Sequence, residues 1–323
     1  NKTPHNPFNK TTTMEENRTV SENDDYPYLC KLNDVSTVKG TVYAVIFIIS
    51  ILSNALLIVV VLLYENWKNV TTIFIMNLAV ADLIFTTTLP FWAVYHLHHW
   101  VFGDFLCQCM TAVYFISVYS SVLILTALSV DRLVLVIKKP TDSFRRKYVL
   151  GTCAAAWLIG IIASSTNAIK VEVTEYEGSY YCEPSHYVDS GYYAEISLLF
   201  LLPFIITVFC YTGIIVAVLR TTVRRKFRSV SVMFCIVTVF FFCWGPYNIA
   251  LISRTRLDYA FYISRMLAFS HCCLNPVFYV LVGIKFKSHL KKMVKICSSD
   301  RNNIPNRRSR LTIMSVTSEE LSM

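Results

Sequence analysis

The residues best able to do chemistry are few, and they lie inside long apolar runs. Asp82 ends the stretch Asn77-Leu78-Ala79-Val80-Ala81-Asp82, Asp131-Arg132 falls near the end of another run, and Arg265 and His271 interrupt a third. Ionisable side chains are expensive in such surroundings and mark binding or switching sites. Asp82 suits water, a cation such as sodium, or polar neighbours such as Asn54, Ser121 and Asn275; no other cofactor is expected. Catalysis fits less well. His96, His98 and His99 form the one histidine group, with no carboxylate near them in sequence, and no cysteine pair has zinc-ligand spacing. Neither a metal centre nor an enzyme is expected.

The runs that carry these residues must cross a membrane. The chain of 323 residues is 54% hydrophobic and 16% charged, against about 25% charged in a soluble domain. Residues 40–64 contain no charge at all, which exceeds the roughly 20 residues needed to span a hydrocarbon core. Similar runs recur at 70–97, 105–137, 148–169, 191–219, 229–253 and 259–284. Each span must satisfy its own backbone hydrogen bonds in lipid, so runs of this length predict helices. The expected fold is an all-α membrane protein, a bundle of seven transmembrane helices. No basic-then-apolar leader precedes the first span, which is therefore expected to direct insertion itself.

Basic residues give the orientation. Lys138, Lys139, Arg145, Arg146 and Lys147 lie in one connection, Arg220, Arg224, Arg225, Lys226 and Arg228 in another, and five lysines between Lys285 and Lys295 follow the last span. These three regions fall on one side of a seven-span chain, and Lys and Arg are retained on the cytoplasmic side. The other side carries Glu172, Glu175, Glu177, Glu183 and Asp189 against Lys170 alone. The N-terminus is therefore expected outside and the C-terminus in the cytoplasm. Asn1, Asn9 and Asn17 each begin an Asn-x-Thr acceptor for glycosylation in that outer tail.

Of the 11 cysteines, Cys153, Cys210, Cys235, Cys243, Cys272 and Cys273 lie inside spans and read as small buried hydrophobes. Cys182, in the acidic loop, can bridge to Cys107 or Cys109 at the outer end of the third span, tying the loop over the bundle mouth. The residues leave that choice open, and Cys30 has no evident partner. From Cys107 to Arg132 the third helix would run about 37 Å at 1.5 Å per residue, so one helix touches both compartments. Pro246 and Pro276 each remove a helical hydrogen bond and are expected to kink the sixth and seventh spans.

Together these residues resemble the rhodopsin-like G-protein-coupled receptors. Asn54, Asp82, Asp131-Arg132, Trp157, Pro203, Tyr211, Trp244 with Pro246, and Asn275-Pro276-x-x-Tyr279 stand one set per element, in the family's order. Within the family the chain is similar to chemokine receptors, through Thr88-Leu89-Pro90, Trp100-Val101-Phe102-Gly103 and His271-Cys272-Cys273-Leu274-Asn275-Pro276, and to the XC (lymphotactin) class in particular. Most chemokine receptors carry Glu where Arg265 stands. Leu133 replaces the usual Tyr, and the connection at 254–258 lacks the usual Cys.

The resemblance implies a basic chemokine as ligand and an inhibitory-class heterotrimeric G protein inside. Glu15, Glu16, Glu22, Asp24 and Asp25 make the tail acidic, which would steer a cationic partner, and Tyr26 and Tyr28 beside them suit sulfation. The resemblance places the ligand's N-terminus among Tyr43, Trp92, Tyr114, Glu195, Tyr247 and Arg265, with Glu195 facing Arg265. It makes Trp244, Pro246 and Pro276 the pivots and Asp131, Arg132, Tyr211 and Tyr279 the inner latch. Four regions follow: a tail at 1–38, the bundle at 39–283, a short amphipathic eighth helix at 284–297 lying on membrane lipid, and a regulatory tail at 298–323. Cys297 is a palmitoylation candidate, and Ser309, Thr312, Ser315, Thr317, Ser318 and Ser322 offer sites for receptor kinases and arrestin. No nucleic-acid partner is expected. The rival reading is a decoy receptor that takes up chemokine without signalling, hinted at by Leu133.

Overall fold

Helices follow the apolar runs, as backbone satisfaction in lipid requires. The computed structural model describes residues 26–66, 69–138, 141–176, 178–184, 190–219, 227–252 and 258–282. Within its helices, the side chains of 26–35, 142, 190–197, 218, 227–233, 251–252, 258–259 and 278–282 stand outside the description. The elements are α1 (Tyr26–Tyr64), α2 (Val70–Leu97), α3 (Gly103–Ile137), α4 (Asp142–Ala168), β1 (Val171–Tyr176), β2 (Ser179–Pro184), α5 (Ser190–Leu219), α6 (Phe227–Ile252), α7 (Asp258–Phe269) and α8 (His271–Val282). Five of them carry stretches long and apolar enough to cross a membrane, and α6 and α7 carry shorter apolar stretches. Leu52, Leu63, Ile162, Phe209 and Phe242 point outward and are mostly exposed. An apolar surface of that kind suits lipid rather than water.

The helix α1 begins at Tyr26, ahead of the expected boundary at 39. Pro27 falls in its first turn, where a proline is tolerated, and no further Pro or Gly occurs before Gly40. The segment expected as an eighth helix, the tail with Cys297, and residues 1–25 with Asn1, Asn9, Asn17, Asp24 and Asp25 lie outside the described residues.

The seventh span departs from expectation. It is broken at Ser270, between α7 and α8, and α8 runs through Pro276 without interruption. The Ser270 amide donates to the carbonyls of both Met266 and Leu267, at 3.1 and 3.2 Å, while its Oγ donates to Leu267 O at 2.7 Å. Those competing bonds tighten the turn and end α7. Pro276 leaves the carbonyl of Cys272 without its helical donor, and Asn54 Nδ2 of α1 fills the gap at 2.9 Å.

The helix α3 is the central element, packed against α2, α4, α5, α6 and β1. Its hydroxyls bond back to their own helix, as Thr126 Oγ1 does to Val122 O at 2.7 Å and Ser129 Oγ to Leu125 O at 2.9 Å. A hydroxyl satisfied in this way is tolerated in an apolar interior. Trp157 of α4 donates from Nε1 to Asn77 Oδ1 of α2 at 3.0 Å.

The acidic loop is an antiparallel hairpin of β1 and β2, turning at Gly178 with φ of 74° and pairing Val173 with Cys182. It is fastened to the start of α3. Cys182 is disulfide-bonded to Cys107, and Cys109 is free. Asp104 Oδ1 accepts from Val173 N at 2.7 Å, and Trp100 N donates to Tyr180 O at 2.8 Å.

Candidate functional site

At the hairpin end, α1, α2, α3, α6, α7 and the hairpin line an open cavity of about 540 Å³. Lys39 comes from α1, Trp92, Tyr95 and His96 from α2, Tyr114 from α3, Tyr247 from α6, Tyr262 and Arg265 from α7, and Cys182 and Glu183 from the hairpin. Residues three and four apart share a helix face, which brings Trp92, Tyr95 and His96 to one wall. The Arg265 guanidinium lies 5.5 Å from the Trp92 ring and 5.4 Å from the Phe269 ring, within cation–π range. Lys39 Nζ sits 3.0 Å over the Tyr262 ring. Tyr95 OH donates to Glu183 Oε1 at 3.3 Å.

Tyr114 and Tyr247 also line a smaller chamber of about 40 Å³ with Phe240, Trp244 and Asn248. The Trp244 ring lies 6.3 Å from Tyr114, 6.1 Å from Phe240 and 5.4 Å from His271. Beyond His271 lies the polar centre. Asn275 Nδ2 donates to Asp82 Oδ2 at 2.8 Å, and His271 Nε2 is 3.7 Å from Asp82 Oδ1. An unbroken series of contacts therefore runs from the cavity to Asp82.

The other expected partners of Asp82 are placed differently. Asn54 bonds to Ser50 and to the Cys272 carbonyl rather than to the carboxylate. Ser121 is buried on α3 and makes no hydrogen bond to Asp82. His271 takes the adjacent position because it falls one turn before Asn275 on the same helix face.

At the far end of α3, both carboxylate oxygens of Asp131 are held by Arg145 of α4, at 2.6 Å to Nε and 2.5 Å to Nη2. Arg132 is 3.7 Å from the same carboxylate and donates to Thr71 Oγ1 at 2.7 Å. Asn69 caps α2 by accepting from Thr71 N at 3.1 Å. Tyr211 is buried, with its ring 4.9 Å from Phe234.

Residues 53–279 match the 7 transmembrane receptor (rhodopsin family). The chain belongs to that family. Chemokine XC receptor 1 of Homo sapiens is 38% identical to it over 279 residues, which cover 80% of this chain and 82% of that receptor. It is accordingly a chemokine-receptor member of a family of receptors, and a multi-pass plasma-membrane protein.

Within the receptor, Trp92, Tyr114, Tyr247 and Arg265, four of the residues named from the sequence, line the cavity. Tyr43 stands behind it, stacked 5.2 Å from His96 and 5.2 Å from Phe269. The side chains of Glu195, Tyr26 and Tyr279 lie outside the described residues. At the inner end Arg132 reaches Thr71 while staying 3.7 Å from Asp131, and Arg145 holds the same carboxylate. Sequence reasoning missed Lys39, Tyr95 and Tyr262 in the cavity and Arg145 at the latch. Arg145 was masked by its basic neighbours, and Lys39 by its place at the edge of an apolar run.

Proposed function

We propose that the receptor binds a basic chemokine on its hairpin side, outside the cell, and activates an inhibitory-class heterotrimeric G protein at its Asp131–Arg132 end. The observation that carries this is the cavity at one end of α3, joined by packed rings to the polar centre, with Asp131-Arg132 at the helix's other end. The 38% identity to a receptor named for XC chemokines supports the ligand class. The basic connections flanking α4 and α6 support the orientation.

Ligand would act by population shift, binding more strongly to a state in which α6 swings away from α3 at its inner end. Ligand pressing on Tyr114 and Tyr247 would move Trp244, and Pro246 gives α6 a pivot two residues on. Trp244 would pass the displacement to His271 and the Asp82–Asn275 bond. Arg132, released from Thr71, would then meet the G protein, alongside Tyr211 and Tyr279.

Asp82 Oδ1 and Asn54 Oδ1 are buried oxygens without a hydrogen-bond partner in the structure. Such oxygens suit a hard cation, and Asp82, held by Asn275, would bind sodium, which would supply a positive charge to the carboxylate. Receptor kinases and arrestin would act on the Ser/Thr-rich tail, and the lysine-rich segment 284–297 would lie on anionic lipid. Expression in cells with a chemokine panel, reading inhibitory G-protein activation and uptake together, tests the proposal. An XC-class chemokine should give both; uptake without activation, or no response at all, contradicts it.

A further inference from the structure

We infer that the floor of the cavity is an anion site, which takes a carboxylate carried by the ligand segment inserted there. The inference rests on the cavity being the ligand site and adds the chemistry that the ligand must present. Three nitrogens around this one cavity are buried and without a hydrogen-bond partner: Arg265 Nε, Trp92 Nε1 and His96 Nε2. A buried nitrogen left unsatisfied is costly and needs an explanation. Clustering of three around one void is explained by an acceptor that arrives from outside.

Charge points the same way. His96 lies within electrostatic reach of both Arg265 and Lys39. The one acid among the described residues lining the cavity is Glu183, which is exposed at the hairpin and engaged by Tyr95. Arg265 is held through its ring contacts with Trp92 and Phe269, and no described carboxylate pairs with it. A guanidinium stacked by its face keeps its edge available for a planar, bidentate carboxylate. An ammonium group would meet like charge here. The receptor thus separates a basic ligand body, suited to an acidic outer tail, from an acidic inserted group, and so rejects ligands with the opposite distribution.

The test uses the full chain in nanodiscs and two small probes with the same aromatic skeleton and opposite charge, 3-phenylpropionate and 3-phenylpropylamine. Anything that binds the folded state alone raises Tm, by an amount that grows with the ratio of its concentration to its Kd. The acid should raise Tm and the amine should not. The rise should vanish in Arg265→Gln and be partly kept in Arg265→Lys, which also controls for folding. A Tm rise with the amine instead, no rise with the acid, or a rise that survives Arg265→Gln overturns the anion site. The first of these would mean that a carboxylate such as Glu195 already neutralises Arg265. No chemokine is used, so the outcomes separate. A silent chemokine panel with an acid-specific Tm rise faults the proposed function, and a responsive panel without that rise faults the anion site alone.

Discussion

Asn54 supplies to the seventh span the hydrogen bond that Pro276 cannot. The proline has no amide hydrogen for the carbonyl of Cys272, one turn back, and Asn54 Nδ2 donates to that oxygen at 2.9 Å. The helix α8 thereby passes through a proline while remaining tied to α1. Asn54→Ala should destabilise the receptor by about 0.5–2 kcal/mol, the range for a hydrogen bond between membrane helices. In Pro276→Ala the backbone amide returns, so Asn54→Ala should cost less there. Thermal unfolding of the two single variants and the double variant checks the coupling; strict additivity would mean that the two residues act separately.

The grip of Arg145 on Asp131 sets what Arg132 can do. With Arg145 removed, the Asp131 carboxylate is left to Arg132, already 3.7 Å away, and should draw it from Thr71. Arg145→Ala should therefore lower ligand-stimulated nucleotide exchange several-fold, and adding Asp131→Asn should restore part of it. Exchange measured in membranes at equal receptor density decides; unchanged exchange in Arg145→Ala would show the pair to be incidental.

The disulfide fixes the hairpin over the cavity and leaves Cys109 out. Cys107→Ser or Cys182→Ser should abolish high-affinity binding and lower stability by about 2–4 kcal/mol. Cys109→Ser should do neither. Loss of chemokine binding in Cys109→Ser and Cys182→Ser, with Cys107→Ser unaffected, would show the bridge to be assigned to the wrong cysteine.

Two glycines of α4 should respond in opposite ways to Ala. A Cβ at Gly160 would stand 2.5 Å from Ser120 Oγ and 3.2 Å from the Ile116 carbonyl of α3, whereas at Gly151 it would meet nothing within 4 Å. Gly160→Ala should destabilise the α3–α4 contact by about 1–3 kcal/mol through overpacking. Gly151→Ala should be neutral or stabilise by about 0.5–1 kcal/mol, the helix-propensity difference. Melting temperatures of the two variants give the comparison.

What the sequence made readable was whatever lipid dictates. The apolar runs announced the helices because a backbone in hydrocarbon must bond to itself, and Asp82, Trp92, Tyr114 and Arg265 were conspicuous among them. Contacts made across the bundle were not readable in this way. Nothing local distinguishes Arg145 from Arg146, yet one faces Asp131. The choice between Cys107 and Cys109 depends on helix rotation relative to the hairpin. The break at Ser270 was hidden because Pro276 was the expected irregularity, as a kink, and the hydrogen bond it lacks is supplied from α1. Lys39 lines the cavity through a contact across the bundle, its Nζ over the Tyr262 ring of α7.

The central claim, that ligand at the hairpin end opens the far end of α6 away from α3, is tested by one distance. Spectroscopic labels at Lys138 and Arg228, read with and without an XC-class chemokine, report the separation of those two helix ends. The account predicts a longer distance when chemokine is bound, and the same distance with and without ligand when Trp244 is replaced by Ala. An unchanged distance in the unsubstituted receptor with chemokine demonstrably bound would contradict it.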